Sequence, residues 1–289
     1  MSTMNTYTKK LIEINTSLKS CQKKEEKLLF HNPAYKKALR SYTSSWREKA
    51  EEKIPPKLED TLKVAFAKAF ELVFKDGKVL IDKTYDEDSL KKQYAKKRSA
   101  LQGEGHDEGL NDIRKAEVKR YLASLGFATT EGVGLGLLGI GLPDVPILIA
   151  NLIRTCMVEA KSRGFDPDRA DEQSYMLALI QLVATPSGER EMVNRKLDAM
   201  GRAIDRGETS ICLIENEIQA TANTLSTAML FSRFVMGLPI VGVAGGFYNT
   251  VVISQLHKLA EIKYEMRLLN RCKDDLIRQN RREQGENKQ

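Results

Sequence analysis

The 289-residue chain is expected to fold as an all-α, multi-helix bundle with two glycine-rich apolar hairpins and an N-terminal helical arm. Three observations carry that expectation. Leu, Ala, Lys and Glu are abundant while only 8 prolines and 1 tryptophan occur, a composition that favours helix. Apolar residues recur at three- and four-residue steps, the period that lines one face of a helix. Two stretches concentrate glycine among uncharged apolar residues, one ending near Asp144 and one spanning 234–256. With 42% hydrophobic and 29% charged residues, the chain is too apolar to stay disordered.

The first two elements read as a helical hairpin that forms an arm over 1–56. Leu11, Ile14, Leu18 and Cys21 share one face, as do Tyr35, Leu39, Tyr42 and Trp46. Asn32-Pro33 separates the two, because the residue before proline avoids the helical region. Pro55-Pro56 closes the arm. Residues 1–58 hold 13 Lys/Arg against 6 Asp/Glu, while the rest of the chain holds 33 of each, so the arm carries the whole net charge of +7. A basic arm on a neutral body suits an anionic partner, either nucleic acid or an anionic lipid surface. Glu25, Glu26, Glu48, Glu51 and Glu52 break up the positive field, which favours a solvated hairpin and argues against nucleic acid.

The main domain is expected over 57–275. A third helix fits 59–74, with Leu62, Phe66, Ala69, Phe70 and Val73 on one side and Lys75-Asp76-Gly77 as its stop. Residues 83–112 read as a polar helix and a loop. Asp144 then has the properties of an N-cap, since its carboxylate can accept from the backbone N–H groups two or three residues on. Pro146 sits in the first turn, where no partner awaits its nitrogen. That helix should run from Val145 to about Ser162 and stop at Gly164 in a left-handed conformation. Asp166-Pro167 and Thr185-Pro186 are read as the next two starts. The second glycine-rich run is uncharged over 234–256 and leads into a helix from about Val251 through Arg267. A charged flexible tail is expected over 276–289.

The motifs supply no named reaction. Gly134, Gly136 and Gly139 satisfy GxGxxG, but a helical pattern precedes them and no βαβ alternation exists, so no dinucleotide cofactor is expected. Cys21, Cys156, Cys212 and Cys272 are scattered, with no CxxC pair and only 3 histidines, so no zinc framework follows. This cysteine usage suits a reducing compartment, and the N-terminus lacks the apolar core of a signal peptide. The expected location is the cytoplasm, peripheral to the inner face of the membrane.

Polar residues inside apolar segments are the candidate site: Glu131, Asp144, Arg154, Asn249 and His257, with Asn151 nearby. A buried charge needs a partner, so Glu131 or Asp144 is expected to face Arg154. The functional form of this cluster is a ligand pocket between the hairpins, with Asn249 and His257 opposite. The plainer form makes Asp144 a cap and Arg154 its structural partner. Closely spaced glycines allow helices to approach, either within a bundle or within lipid. The charges in the first run and Pro239 in the second favour buried hairpins over membrane spans.

At these residues the sequence resembles the EcsC family. The likeness rests on Gly141-Leu142-Pro143-Asp144, the apolar helix bearing Arg154, and Gly164-Phe165-Asp166. It continues through Leu238-Pro239-Ile240-Val241-Gly242 and the Asn249-bearing helix into Arg267. It covers about 55–275 and leaves the basic arm outside; Leu142-Pro143 stands where the family usually has a small residue before Asp-x-Pro. The resemblance implies a membrane-linked role, since the family takes its name from a protein encoded beside an ABC transporter that affects secretion and competence. It implies no catalytic chemistry. The expected function is a non-enzymatic accessory or interaction protein, engaging a membrane surface or membrane complex through the arm or the hairpins. Insertion of the hairpins into lipid, and a hydrolase or ligand-binding role for the polar cluster, are the alternatives.

Overall fold

A computed structural model describes residues 6–31, 56–77, 81–82, 85–102, 144–186, 188–208, 214–235 and 245–286. The described residues are helical and contain no strand. Their elements are α1 (Thr6–Phe30), α2 (Pro56–Leu72) with a wider π turn at Val73–Gly77, and α3 (Glu87–Gln102). They continue with α4 (Asp144–Lys161), α5 (Ala170–Ala184), α6 (Arg190–Asp205), α7 (Ile214–Val235) and α8 (Gly245–Glu286). Of the two expected hairpins, 121–143 and 236–244 lie outside the described residues, as does the second helix of the arm.

The centre of the bundle is α5. Eleven of its 15 residues are buried, including every position from Ser174 to Ile180. A helix apolar all round has no solvent face and must be enclosed on several sides. Here α4, α6, α7 and α8 surround it, and α2 closes the space between α4 and α7. Gly164 ends the preceding helix at φ +75°, as its sequence position requires. The backbone N–H of Phe165 then bonds Ala160 O at 3.0 Å across that end.

Two expected helix starts are corrected. Asp166 does not cap α5; its Oδ1 accepts from the Asp168 backbone N–H at 3.0 Å, an Asx turn that delays the helix to Ala170. Thr185 is the C-cap of α5, and α6 begins only at Arg190. Both short polar residues make turns before proline as readily as they make caps. The C-terminal residues 276–286, expected as a flexible tail, continue α8 as helix.

By its 42 residues α8 is a rod of about 63 Å, and it is the spine against which α1, α3, α4, α5 and α6 pack. Glu159 of α4 and Arg163 in the turn after it meet His257 and Glu265 of α8, at 3.3 and 2.9 Å. Both numbers rise together, so α4 and α8 run parallel. By the same test α5 is antiparallel to α8, because Glu172 meets Arg267 while Tyr175 meets Tyr264. Helix α1 is antiparallel too, with Asn15 bonded to Lys273 and Glu25 to Lys263. Its Ile14, Cys21 and Leu29 are buried, so the first helix of the expected arm is packed along the spine.

Candidate functional site: a charged groove between α6 and α8

Lys263, Arg267 and Arg271 follow one another at four-residue steps, which stacks them on one face of α8. Lys263 and Arg267 are themselves buried, beside Tyr264 and Leu268. A cation there is tolerable only with a carboxylate brought from elsewhere. Lys263 is held by Glu25 of α1 and Asp198 of α6. Arg267 Nη1 and Nη2 bond the two oxygens of Glu172 at 2.6 and 3.0 Å, and Nη2 also bonds Asp205 Oδ1 at 2.8 Å. The Arg267 guanidinium lies 4.3 Å from the Phe165 ring centroid and 4.4 Å from that of Tyr175. Burial works against its charge, but the bonds from Asp205 and Glu172 more than compensate and hold its pKa above the ordinary arginine value. Arg267 therefore remains a cation at any accessible pH.

Arg271 completes the row. Its Nη2 bonds Asp205 Oδ1 at 2.8 Å and its guanidinium lies 3.9 Å from the Phe165 centroid, yet the side chain is 37% exposed. Its other edge is available to solvent. Gly201 of α6 makes this closeness possible: a Cβ there would come within 3.0 Å of the Tyr175 ring and 3.3 Å of Arg267 Cδ. Between α6 and α8 a groove of about 690 Å³ opens over these residues. Seven basic and four acidic side chains line it. Among the described residues, Arg202 and Arg278 hold no ion-pair partner, and neither do Asp274 and Asp275.

A second ionic cluster lies on the other side of the spine. Glu265 accepts from Arg163 at 2.9 Å and from Lys97 of α3 at 3.0 Å. Burial raises the Glu265 carboxyl, and the two cations outweigh that effect and bring it below the usual glutamate value. Glu159 bonds both Arg163 and His257. A third polar anchor is Arg190, 2% exposed, whose Nε and Nη1 donate to Thr185 O at 2.8 Å and Leu29 O at 2.9 Å. It thereby joins the negative ends of α5 and α1. Burial draws its pKa down, to about 9.

The five residues chosen from the sequence are distributed as follows. Arg154 is 4% exposed on α4; burial lowers its pKa and Tyr85 opposes the shift. His257 lies on α8 against Glu159, 11% exposed in its side chain. Asp144 and Asn249 are helical residues at the starts of α4 and α8, and their side chains lie outside the described set, as does Glu131 entirely. The expected pairing of Arg154 with Glu131 or Asp144 thus falls outside the described residues. Asn151 turns back on its own helix and donates to Ile147 O at 2.9 Å.

The groove was not singled out from the sequence. Its trace in the sequence is a row of cations at four-residue steps on one helix, a pattern that a solvated helix face shows equally. Its partners Glu172 and Asp205 lie 95 and 62 residues away from Arg267, and no local pattern points to them. The Cys156 thiol is fully buried and its pKa is raised by desolvation, as suits a small core residue. No group of His, Cys, Asp and Glu able to hold a metal occurs among the described residues, and no helix among them is long and apolar enough to cross a membrane.

No solved structure matches the chain. Among characterised sequences it is similar to Protein EcsC of Bacillus subtilis (strain 168), with 24% identity over 226 residues, 76% of this chain and 83% of that protein. The EcsC protein family matches residues 15–269. That match takes in most of α1 and every carboxylate and cation of the α8 row except Arg271, so the ionic core lies inside the shared domain. The chain belongs to the EcsC protein family.

Proposed function

We propose that this protein is a non-enzymatic, membrane-peripheral interaction module that docks by one end of its bundle. The single observation behind this reading is the parallel register of α4 and α8. Measured from the Glu159–His257 contact, α4 reaches back to Asp144 and α8 to Gly245, about 22 and 18 Å along their axes. The two helices therefore begin at the same end, and each directly follows an uncharged, glycine-rich apolar sequence. An amphiphile polarised in this way presents apolar sequence to a lipid surface while its ionic core stays in the body. The same end would serve as the contact with a membrane complex, such as the transport or secretion machinery that the family resemblance implies.

Vesicle flotation with the full chain tests the proposal. Co-flotation is expected with neutral as well as anionic vesicles, and it should persist at high salt because apolar burial is not screened. The double variant Leu137→Asp, Ile240→Asp should stay with the soluble fraction while keeping its helical circular dichroism. Flotation confined to anionic vesicles and abolished by salt would show electrostatic docking and overturn this reading. So would flotation unaffected by the double variant.

A further inference from the structure

We infer that the groove between α6 and α8 binds a compact phosphate ester carrying hydroxyl or amino groups. This site lies toward the opposite end of the spine from the starts of α4 and α8, and it does not depend on membrane docking. Its volume of about 690 Å³ falls within the range of roughly 300–1,000 Å³ that small-molecule sites occupy.

The wall is organised in two parts. Its floor is spent: Lys263 and Arg267 are saturated by Glu25, Asp198, Glu172 and Asp205 and have no capacity for a ligand. Above them Arg271 is held flat, with the Phe165 ring on one face and Asp205 along one edge. A guanidinium immobilised in this way loses little freedom when its open edge accepts an anion. Arg202 on α6 and Arg278 on α8 line the same groove and hold no carboxylate among the described residues. Three guanidinium groups that line one groove from two helices supply donors for the three terminal oxygens of a phosphate ester, which accept bidentate donation.

The same wall carries Asp274 and Asp275, exposed and without a basic partner among the described residues. They exclude a polyanion such as a nucleic acid, which would meet both carboxylates along its backbone. They instead offer acceptors to hydroxyl or ammonium groups on the body of a small ligand. Unpartnered cations and unpartnered anions side by side in one groove therefore select a phosphate ester with donors of its own over inorganic phosphate.

Calorimetric titration of the full chain with glycerol 3-phosphate tests this, with inorganic phosphate, sulfate and glycerol as comparison probes. Glycerol 3-phosphate should bind tighter than inorganic phosphate, and glycerol should not bind. The variant Arg202→Ala, Arg278→Ala alters only exposed side chains and should weaken glycerol 3-phosphate about tenfold or more, the effect of losing charge-assisted hydrogen bonds. Asp274→Asn with Asp275→Asn should narrow the preference over inorganic phosphate while tightening inorganic phosphate itself. Flotation of the Leu137→Asp, Ile240→Asp chain, whose apolar docking is removed, on phosphatidylcholine vesicles with and without phosphatidic acid separates the sources. Binding that needs Arg202 and Arg278 only on vesicles would make the phosphate that of a lipid headgroup and leave the site standing. Absence of binding to both probes, or equal affinity in the arginine variant, would overturn it.

Discussion

Arg267 and Glu172 meet through two parallel hydrogen bonds in the centre of the bundle, with Arg267 7% and Glu172 3% exposed in their side chains. The guanidinium is simultaneously flanked by the rings of Phe165 and Tyr175. One side chain thus ties α8 to α5, to α6 through Asp205, and to the turn after α4 that carries Phe165. A planar fork suits this place because it bonds in its plane and stacks on its faces.

Removing that fork leaves Glu172 buried without a counter-charge. Arg267→Ala should cost about 3–5 kcal/mol, the range for breaking a buried pair from one side. Arg267→Lys should recover less than half, because an ammonium cannot bond two oxygens in parallel and stack as well. Urea denaturation of the three proteins measures both differences; a lysine variant as stable as the parent would show that charge alone suffices.

Two glycines are set by close approach. At Gly164 a Cβ would fall 2.4 Å from the Tyr94 ring, and its φ of +75° disfavours any other residue. Gly164→Ala should therefore destabilise by more than about 1–2 kcal/mol, the cost of the left-handed conformation alone. The added variant Tyr94→Ala should return the steric part only. Gly201→Ala meets the Tyr175 ring and Arg267 and should cost about 1–3 kcal/mol by overpacking. Melting temperatures of the single and paired variants report these terms.

The hydroxyl of Tyr264 is fully buried and has no hydrogen-bond partner among the described residues. Its desolvation is uncompensated, while its ring packs against Phe165 and Tyr175 at centroid distances of 5.3 and 5.5 Å. Tyr264→Phe keeps the ring and removes the unsatisfied oxygen, so it should stabilise by up to about 1 kcal/mol. A loss of stability on denaturation would mean that an ordered water serves the hydroxyl.

Arg190 fastens the end of α1 to the end of α5 through two backbone carbonyls. Arg190→Met fills much of the same space and takes away the bond that Arg190 gives each carbonyl. Hydrogen exchange should accelerate in the last turn of α1 by about tenfold or more, the equivalent of roughly 1.5–3 kcal/mol for hydrogen bonds to a charged group. Exchange in α7, to which neither of these two bonds runs, should be unchanged.

Acid stability should depend on Glu265. Arg163 and Lys97 hold its folded pKa below the ordinary value. A depressed carboxyl contributes stability that is complete above its unfolded pKa of about 4.3 and disappears as the pH falls through the folded value. The stability difference between the parent and Glu265→Gln should hence be constant near neutrality and shrink below about pH 4.3. Denaturant midpoints across that range provide the check, and a difference that grows with acid would contradict the assignment.

The amino-acid order by itself determined the helices and several of their ends. Apolar residues at three- and four-residue steps marked α1 and α2, and Gly164 stopped its segment because a left-handed residue was needed there. These are local decisions, made by backbone geometry and side chains within a few positions of one another. Only the tertiary structure decided which charges are buried together. Arg154 and His257 stood out because each interrupts an apolar run, whereas Lys263 and Arg267 lie in a charged stretch of α8 where solvated residues look the same. Whether such a cation points into the core depends on a carboxylate arriving from another helix, as Glu172 and Asp205 do for Arg267. Sequence periodicity sets the face on which a charge lies, and the energy of burying it is settled by a partner that periodicity does not contain.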